Sequence, residues 1–134
     1  MSKESELLVK EYAKNPLCNY KMDKFDVSFH EGNFICGDDI TVYVVINSGK
    51  IKEYSFDGNC SSITTAAASF LSEFIVGIDI NTILNWDYKF FVDNGFDVSP
   101  KRRRAMVISL LALRNSIHEY LKDGKKDTFD DLLE

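Results

Sequence analysis

Residues 40–56, with the sequence ITVYVVINSGKIKEYSF, decide the fold. Apolar side chains at every second position from Ile40 to Ile46 predict a strand with one buried face, because successive side chains of a strand point to opposite sides. The next four residues, Asn47 to Lys50, have the composition of a tight turn. Ile51 to Phe56 is therefore predicted to return as the second strand of an antiparallel hairpin.

Helical spacing replaces the alternation directly after this hairpin. A helix is predicted from Ser62 to Val76, with Ser61 or Ser62 capping its start and Gly77 at its end. A last long helix is predicted from Pro100 to about Lys122. Its core-facing stripe consists of Met106, Leu110, Leu113, Ile117 and Leu121. Residues 79–97 are ambiguous, and one short helix with a loop is expected there.

The N-terminal part predicts a short amphipathic helix and an outer strand. The helix covers residues 3–13 and ends at Asn15-Pro16, since proline cannot continue a helix. The outer strand is expected from Lys24 to His30. The charged tail from Lys125 to Glu134 is expected to be loosely held. The pattern predicts an α+β fold over residues 1–134, a two-layer single domain in which a three-stranded antiparallel sheet packs against helices.

Composition limits the class of protein. The chain has 134 residues, 45% of them hydrophobic, which is typical of one globular domain. A net charge of −5 argues against nucleic-acid binding. No apolar run approaches the roughly 20 residues of a membrane span, and the charged N-terminus does not resemble a signal peptide. Three cysteines are expected to be thiols in a reducing compartment, so a cytoplasmic protein is predicted.

Two of these cysteines are the leading candidates for chemistry. Cys36 precedes the first hairpin strand and Cys60 follows the second, so the two strand ends are expected to lie side by side. Asp38 is close enough along the chain to reach the same place. Cys60 also precedes a helix, whose N-terminus favours thiolate over thiol. The alternative is that both are partly buried structural cysteines.

A resemblance to a known family rests on these residues and their surroundings. Cys36-Gly37-Asp38, a hairpin, and then Gly58-Asn59-Cys60-Ser61-Ser62 leading into an Ala/Ser-rich helix resemble the U-type iron–sulfur cluster scaffold family, the group of IscU, NifU and SufU. Asn15-Pro16 and residues 112–120 of the last helix extend the similarity to about residues 7–121.

The resemblance implies a site and partners. Cys36, Asp38 and Cys60 would be the ligands of a [2Fe–2S] cluster or of zinc, unless the protein binds neither. A cysteine desulfurase would supply the sulfur, and a chaperone and apo client proteins would be further partners. The protein would be a monomer or a weak dimer, and it would not be an enzyme.

This sequence departs from the family pattern at two ligand positions. The family's third cysteine falls on Ala105, which has no donor atom, and the preceding residue is Arg104, which stays protonated. The spacing to the glutamate of the Ala/Ser-rich helix also favours Ser61 over Cys60 at the second position. Two thiolates and one carboxylate leave one of four coordination positions open. The available side chains for it are Cys18, His30 and His118.

Each of these three side chains also has a simpler interpretation. Cys18 is expected in a loop, where a cysteine is more often incidental. His30 is expected to be an exposed residue at a strand end. His118 lies almost four helical turns from Ala105, which is too far for a shared ligand role.

Three functional hypotheses remain open. The first is a scaffold-like protein or sulfur acceptor with an incomplete ligand set, working with a cysteine desulfurase. The second is a relative that assembles no cluster and serves as a binding or regulatory module. The third is a sulfur carrier similar to the E-type desulfurase activators, which use one thiol.

Overall fold

The computed structural model describes residues 2–33 and 37–134. The helices and strands follow in the order α1 (Lys3–Lys14), β1 (Val27–Asn33), β2 (Asp38–Asn47), β3 (Lys50–Asp57), α2 (Ser62–Ile75), α3 (Ile80–Ile83), α4 (Tyr88–Asp93), α5 (Arg103–Leu121) and α6 (Phe129–Leu133), with a turn of 3-10 helix at Pro100–Arg102 before α5. Of the helices in these two ranges, none is long and apolar enough to cross a membrane.

The three strands form one antiparallel sheet in the order β1-β2-β3. Val44 in the centre of β2 pairs with Val27 on one side and with Tyr54 on the other. At the edge where β2 begins, Asn33 pairs with Asp38. The predicted hairpin and the α+β fold class are confirmed.

The helices cover one face of this sheet. Ile40, Val42 and Val44 are fully buried, as the alternation in β2 predicts. Helix α5 packs against β1, β2 and α2, and α1 packs on the outer side of α2. The predicted stripe of α5 is buried up to Ile117, whereas Leu121 is exposed at the helix end. The core therefore lies between the sheet and the pair α2 and α5.

The region predicted as one short helix and a loop contains two short helices. Both begin at an aspartate whose side chain accepts a backbone N–H: Asp79 from Asn81 and Asp87 from Lys89. Such caps offset the unfavourable start of a short helix. The outer strand also differs from its prediction, since β1 spans residues 27–33 rather than 24–30.

The C-terminal segment is not loosely held, contrary to the prediction from its charge. Leu132 is fully buried, and the carboxylate of Asp127 accepts a hydrogen bond from Arg114 Nε at 2.9 Å. His118 of α5 faces Asp127 at 2.9 Å and Asp123 at 2.7 Å. The sequence signal failed here because Leu132 is buried and Asp127 is paired with α5 instead of being solvated.

Candidate functional site

The starts of β2, α2 and α5 meet at one end of the molecule. A recess of about 540 Å³ lies between the starts of α2 and α5. It is lined by Ser61, Ser62, Ile63, Lys101, Arg102 and Ala105. Ala105 thus lies beside the start of α2. Cys36, predicted as a ligand from the sequence, lies outside the described residues.

Asp38 connects the sheet edge to α2. Its side chain is buried, with 4% of the residue exposed. Oδ1 accepts the backbone N–H of Ser61 at 2.5 Å, and Oδ2 accepts the hydroxyl of Thr64 at 2.9 Å. The first N–H groups of a helix have no partner inside the helix, and a carboxylate there also interacts favourably with the helix dipole. Asp38 therefore acts as a second cap of α2, alongside the N-cap Ser61.

The thiol of Cys60 makes its hydrogen bond with the backbone of β2. Its Sγ lies 3.3 Å from the backbone oxygen of Asp39, to which it donates. Burial, followed by the negative charges of Asp38, Asp39 and Asp57, raises the pKa of the Cys60 thiol to about 12. The prediction that the helix N-terminus favours the thiolate is therefore wrong. Cys60 precedes the N-cap by one residue, and burial is the largest cause of its raised pKa.

The close approach of Gly58 to Asp39 determines the path of the loop between β3 and α2. Gly58 has φ +137, and a Cβ at this position would lie 2.4 Å from the backbone oxygen of Asp39. Only glycine fits there without a shift of the backbone. The close approach places the next residues against β2, and this contact directs Cys60 toward Asp39.

Ser61, one of the two alternatives for the second ligand position, lies at the recess. Ser61 lines the recess together with Ala105, whereas Cys60 does not line it. Its hydroxyl oxygen lies 3.3 Å from Asp38 Oδ2 and accepts the backbone N–H of Thr64. Thr64 was not predicted as a partner of Asp38. The signal was available, because Ser61 and Thr64 have the three-residue spacing typical of helix caps.

The three side chains considered for an open coordination position lie elsewhere. Cys18 is half-buried in the loop after α1, where its backbone oxygen accepts the N–H of Phe56. The His30 side chain is 57% exposed, as predicted, with Nε2 3.4 Å from Asp39 Oδ1. His118 is buried against the C-terminal segment. None of the three lines the recess.

The donor atoms of the described residues do not fit a four-coordinate iron or zinc site. In residues 2–33 and 37–134, no three His, Cys, Asp or Glu side chains form a group that could hold a metal ion. Both oxygens of Asp38 accept hydrogen bonds, Cys60 is a protonated thiol, and Ala105 has no donor. Metal thiolates require the deprotonated sulfur, so Cys60 would have to lose a tightly held proton.

Comparison with known sequences finds a matching family model and a curated relative. The model of the NifU-like N terminal domain matches residues 5–127. The iron–sulfur cluster assembly scaffold protein IscU of Thermotoga maritima is 32% identical over 75 residues, which cover 56% of this chain and 53% of that protein. The match thus spans about half the length of this relative.

Solved structures share the fold at low sequence identity. A NifU-like protein (N-terminal) from Brucella abortus has a TM-score of 0.71 at 14% identity, covering 87% of this chain and 94% of its own. A putative iron–sulfur cluster assembly scaffold protein for the SUF system from Fervidobacterium islandicum has a TM-score of 0.71 at 18% identity, covering 87% and 96%. At these identities the likeness establishes the arrangement of the sheet and helices.

Proposed function

Because this chain belongs to the NifU-like N-terminal domain family, we propose that it works in iron–sulfur cluster assembly as a sulfur acceptor for a cysteine desulfurase. The iron–sulfur cluster is then cargo that this chain does not hold with its own ligands alone. The chain turns over no substrate of its own in this role. Similarity to a relative that is named as an iron–sulfur cluster assembly scaffold protein supports a role in cluster assembly.

The acceptor role is supported above all by the observation that Asp38 caps α2. In residues 37–134, the carboxylate expected to bind metal accepts hydrogen bonds from Ser61 and Thr64, and the recess is lined by Ala105, on which the resemblance places the family's third cysteine. A scaffold that holds a cluster by itself needs these donors free and complete. An acceptor needs only one reactive thiol.

Cys36 is the thiol proposed to accept sulfur. Its thiolate attacks the outer sulfur of a persulfide on the desulfurase. The sulfur–sulfur bond of the donor breaks, a new sulfur–sulfur bond forms on Cys36, and the donor cysteine leaves as a thiolate. Cys60 is a poor nucleophile for this step, since the pKa of its thiol is about 12.

The test is mass spectrometry after incubation with a cysteine desulfurase and cysteine. We expect one added sulfur atom on the full-length protein, located on Cys36 by peptide mapping. Cys60→Ser should accept sulfur normally, and Cys36→Ser should accept none. Purified protein should contain iron and zinc well below one ion per chain. If neither thiol accepts sulfur, the proposal is wrong.

A second function is favoured by the same loss of donors. A family member with a capped Asp38 and an alanine at position 105 could bind a desulfurase or another partner without accepting sulfur. A pull-down with the desulfurase separates the two functions. Binding that survives in the Cys36→Ser/Cys60→Ser variant, combined with no sulfur transfer to the unaltered protein, would identify a binding or regulatory module.

A further inference from the structure

A second cavity, of about 330 Å³, lies between β1, α5 and the segment before α6. Small-molecule sites generally measure about 300–1,000 Å³, so this cavity suits a small ligand. The side chains that matter here are Glu31, Asn33, Arg104, Lys126, Asp127 and Phe129. The recess beside Ala105 shares none of them.

The two carboxylates of this cavity are already paired. Glu31 Oε1 accepts the side-chain amide of Asn115 at 2.8 Å. Asp127 Oδ2 accepts Arg114 Nε at 2.9 Å and lies 2.9 Å from His118 Nε2. The charge of Asp127 is therefore balanced by Arg114 outside the cavity, whereas Glu31 keeps its negative charge and has Oε1 occupied by a neutral amide.

The two cations are not paired with carboxylates. The Arg104 guanidinium lies over the ring of Phe129, 4.8 Å from its centroid, and the Lys126 ammonium lies 5.7 Å from the ring centroid of Phe29. Within the described part of the chain, neither side chain forms an ion pair. The cavity thus offers two positive charges to an anion, one of them on a planar guanidinium suited to a carboxylate.

Asn33 supplies an independent sign of a ligand. The residue is 2% exposed, and neither Nδ2 nor Oδ1 of its side chain has a hydrogen-bond partner among the described residues. A buried amide without partners is unfavourable, and an ordered water, an ion or another bound molecule can satisfy such a group. A ligand that both accepts and donates hydrogen bonds would satisfy this side chain.

We infer that this cavity binds a small organic carboxylate that also carries a hydroxyl or amino group. The carboxylate pairs with Arg104 and Lys126, while the hydroxyl or amino group donates to Asn33 Oδ1. This binding requires neither a thiol nor a metal, so it is independent of the proposed sulfur transfer.

The test is a titration of the full chain with L-malate, succinate and inorganic phosphate, followed by calorimetry and by the side-chain NH₂ resonances of Asn33 in NMR spectra. Malate and succinate differ only in the hydroxyl group. We expect malate to bind and to shift the Asn33 resonances, and succinate to bind more weakly by about tenfold, the value of one hydrogen bond. Arg104→Gln should weaken malate binding by about tenfold or more.

Lys101→Gln is the matched control. Lys101 is a basic residue near the start of α5, as Arg104 is, but it lines the recess beside Ala105 instead of this cavity. It should leave malate binding unchanged. Asn33→Leu should abolish the preference for malate over succinate, and circular dichroism would show that this variant is folded. No binding of malate, equal binding of malate and succinate, or binding of phosphate alone would each overturn the inference.

Discussion

The Oδ1 atom of Asp38 accepts the backbone N–H of Ser61 at 2.5 Å across 23 residues of sequence. This bond connects the first residue of β2 to the N-cap of α2. The carboxylate that a family resemblance assigns to a metal is therefore part of the fold. Its removal has consequences for stability as well as for chemistry.

Asp38→Ala should destabilise the protein by about 2–3 kcal/mol, because it leaves the N–H of Ser61 and the buried hydroxyl of Thr64 without their charged acceptor. Urea unfolding followed by circular dichroism measures this change. Asp39→Ala is the control, since the Asp39 side chain is 45% exposed. It should cost less than about 0.5 kcal/mol. Equal effects of the two substitutions would contradict the capping role.

The reactivity of Cys60 should depend on pH in the alkaline range. Its pKa is raised from an ordinary 9.0 to about 12, so at pH 8 alkylation should be at least about 30-fold slower than that of an exposed cysteine. The folded state holds this proton more tightly than the unfolded state. The resulting stabilisation is complete below pH 9.0 and is lost as the pH rises toward about 12.

The measurement uses iodoacetamide and the Cys18→Ser/Cys36→Ser background, in which only Cys60 reacts. Adding Asp39→Asn should lower the pKa and speed alkylation, since Asp39 is one of the carboxylates that raise it. Adding Asp93→Asn, which is not among them, should change nothing. An apparent pKa of 9 or below for Cys60 would show that the helix N-terminus prevails after all.

Local patterns were sufficient to predict the sheet and the long helices. Burial on one face produces the alternation in β2 and the helical stripe of α5, and both patterns can be seen in the sequence. The Asn-Ser-Gly-Lys turn is likewise recognisable from its residue types. The C-terminal segment could not be predicted this way. Its order depends on Asp127 meeting Arg114 and His118, a contact between residues 9 and 13 positions apart that no periodicity reports.

The candidate site was predicted in outline. Asp38 lies at the α2 start, as the strand ends indicate, and Ala105, which only the resemblance connected to this site, lines the recess beside it. The orientation of Cys60 was not predictable from its position beside a helix. It depends on Gly58 approaching the backbone of Asp39, a packing detail that a single glycine in the sequence does not specify.

His118→Gln should loosen the C-terminal segment. Both ring nitrogens of His118 face carboxylate oxygens, whereas a glutamine side chain has a single nitrogen and cannot reproduce both contacts. Loss of the buried contact with Asp127 should cost about 1–3 kcal/mol. Hydrogen exchange should accelerate in residues 127–133 while that of the sheet stays slow. Lys125→Gln, an exposed change nearby, should leave the exchange of this segment as it is, and protection that survives His118→Gln would refute the contact's role.

Restoring thiols should create a metal site only at the positions that line the recess. Ser61 and Ala105 both line it and Cys60 does not, so Ser61→Cys/Ala105→Cys should bind zinc at least about tenfold more tightly than Ala105→Cys alone. Chelator competition measures these affinities. The double variant loses the Ser61 cap, at a cost of about 1 kcal/mol, and should still fold. Adding Cys60→Ser should leave its zinc affinity unchanged, because the Cys60 thiol is directed to Asp39. If Ala105→Cys alone binds zinc tightly and Cys60→Ser abolishes that binding, Cys60 occupies the ligand position and the assignment of Ser61 is wrong.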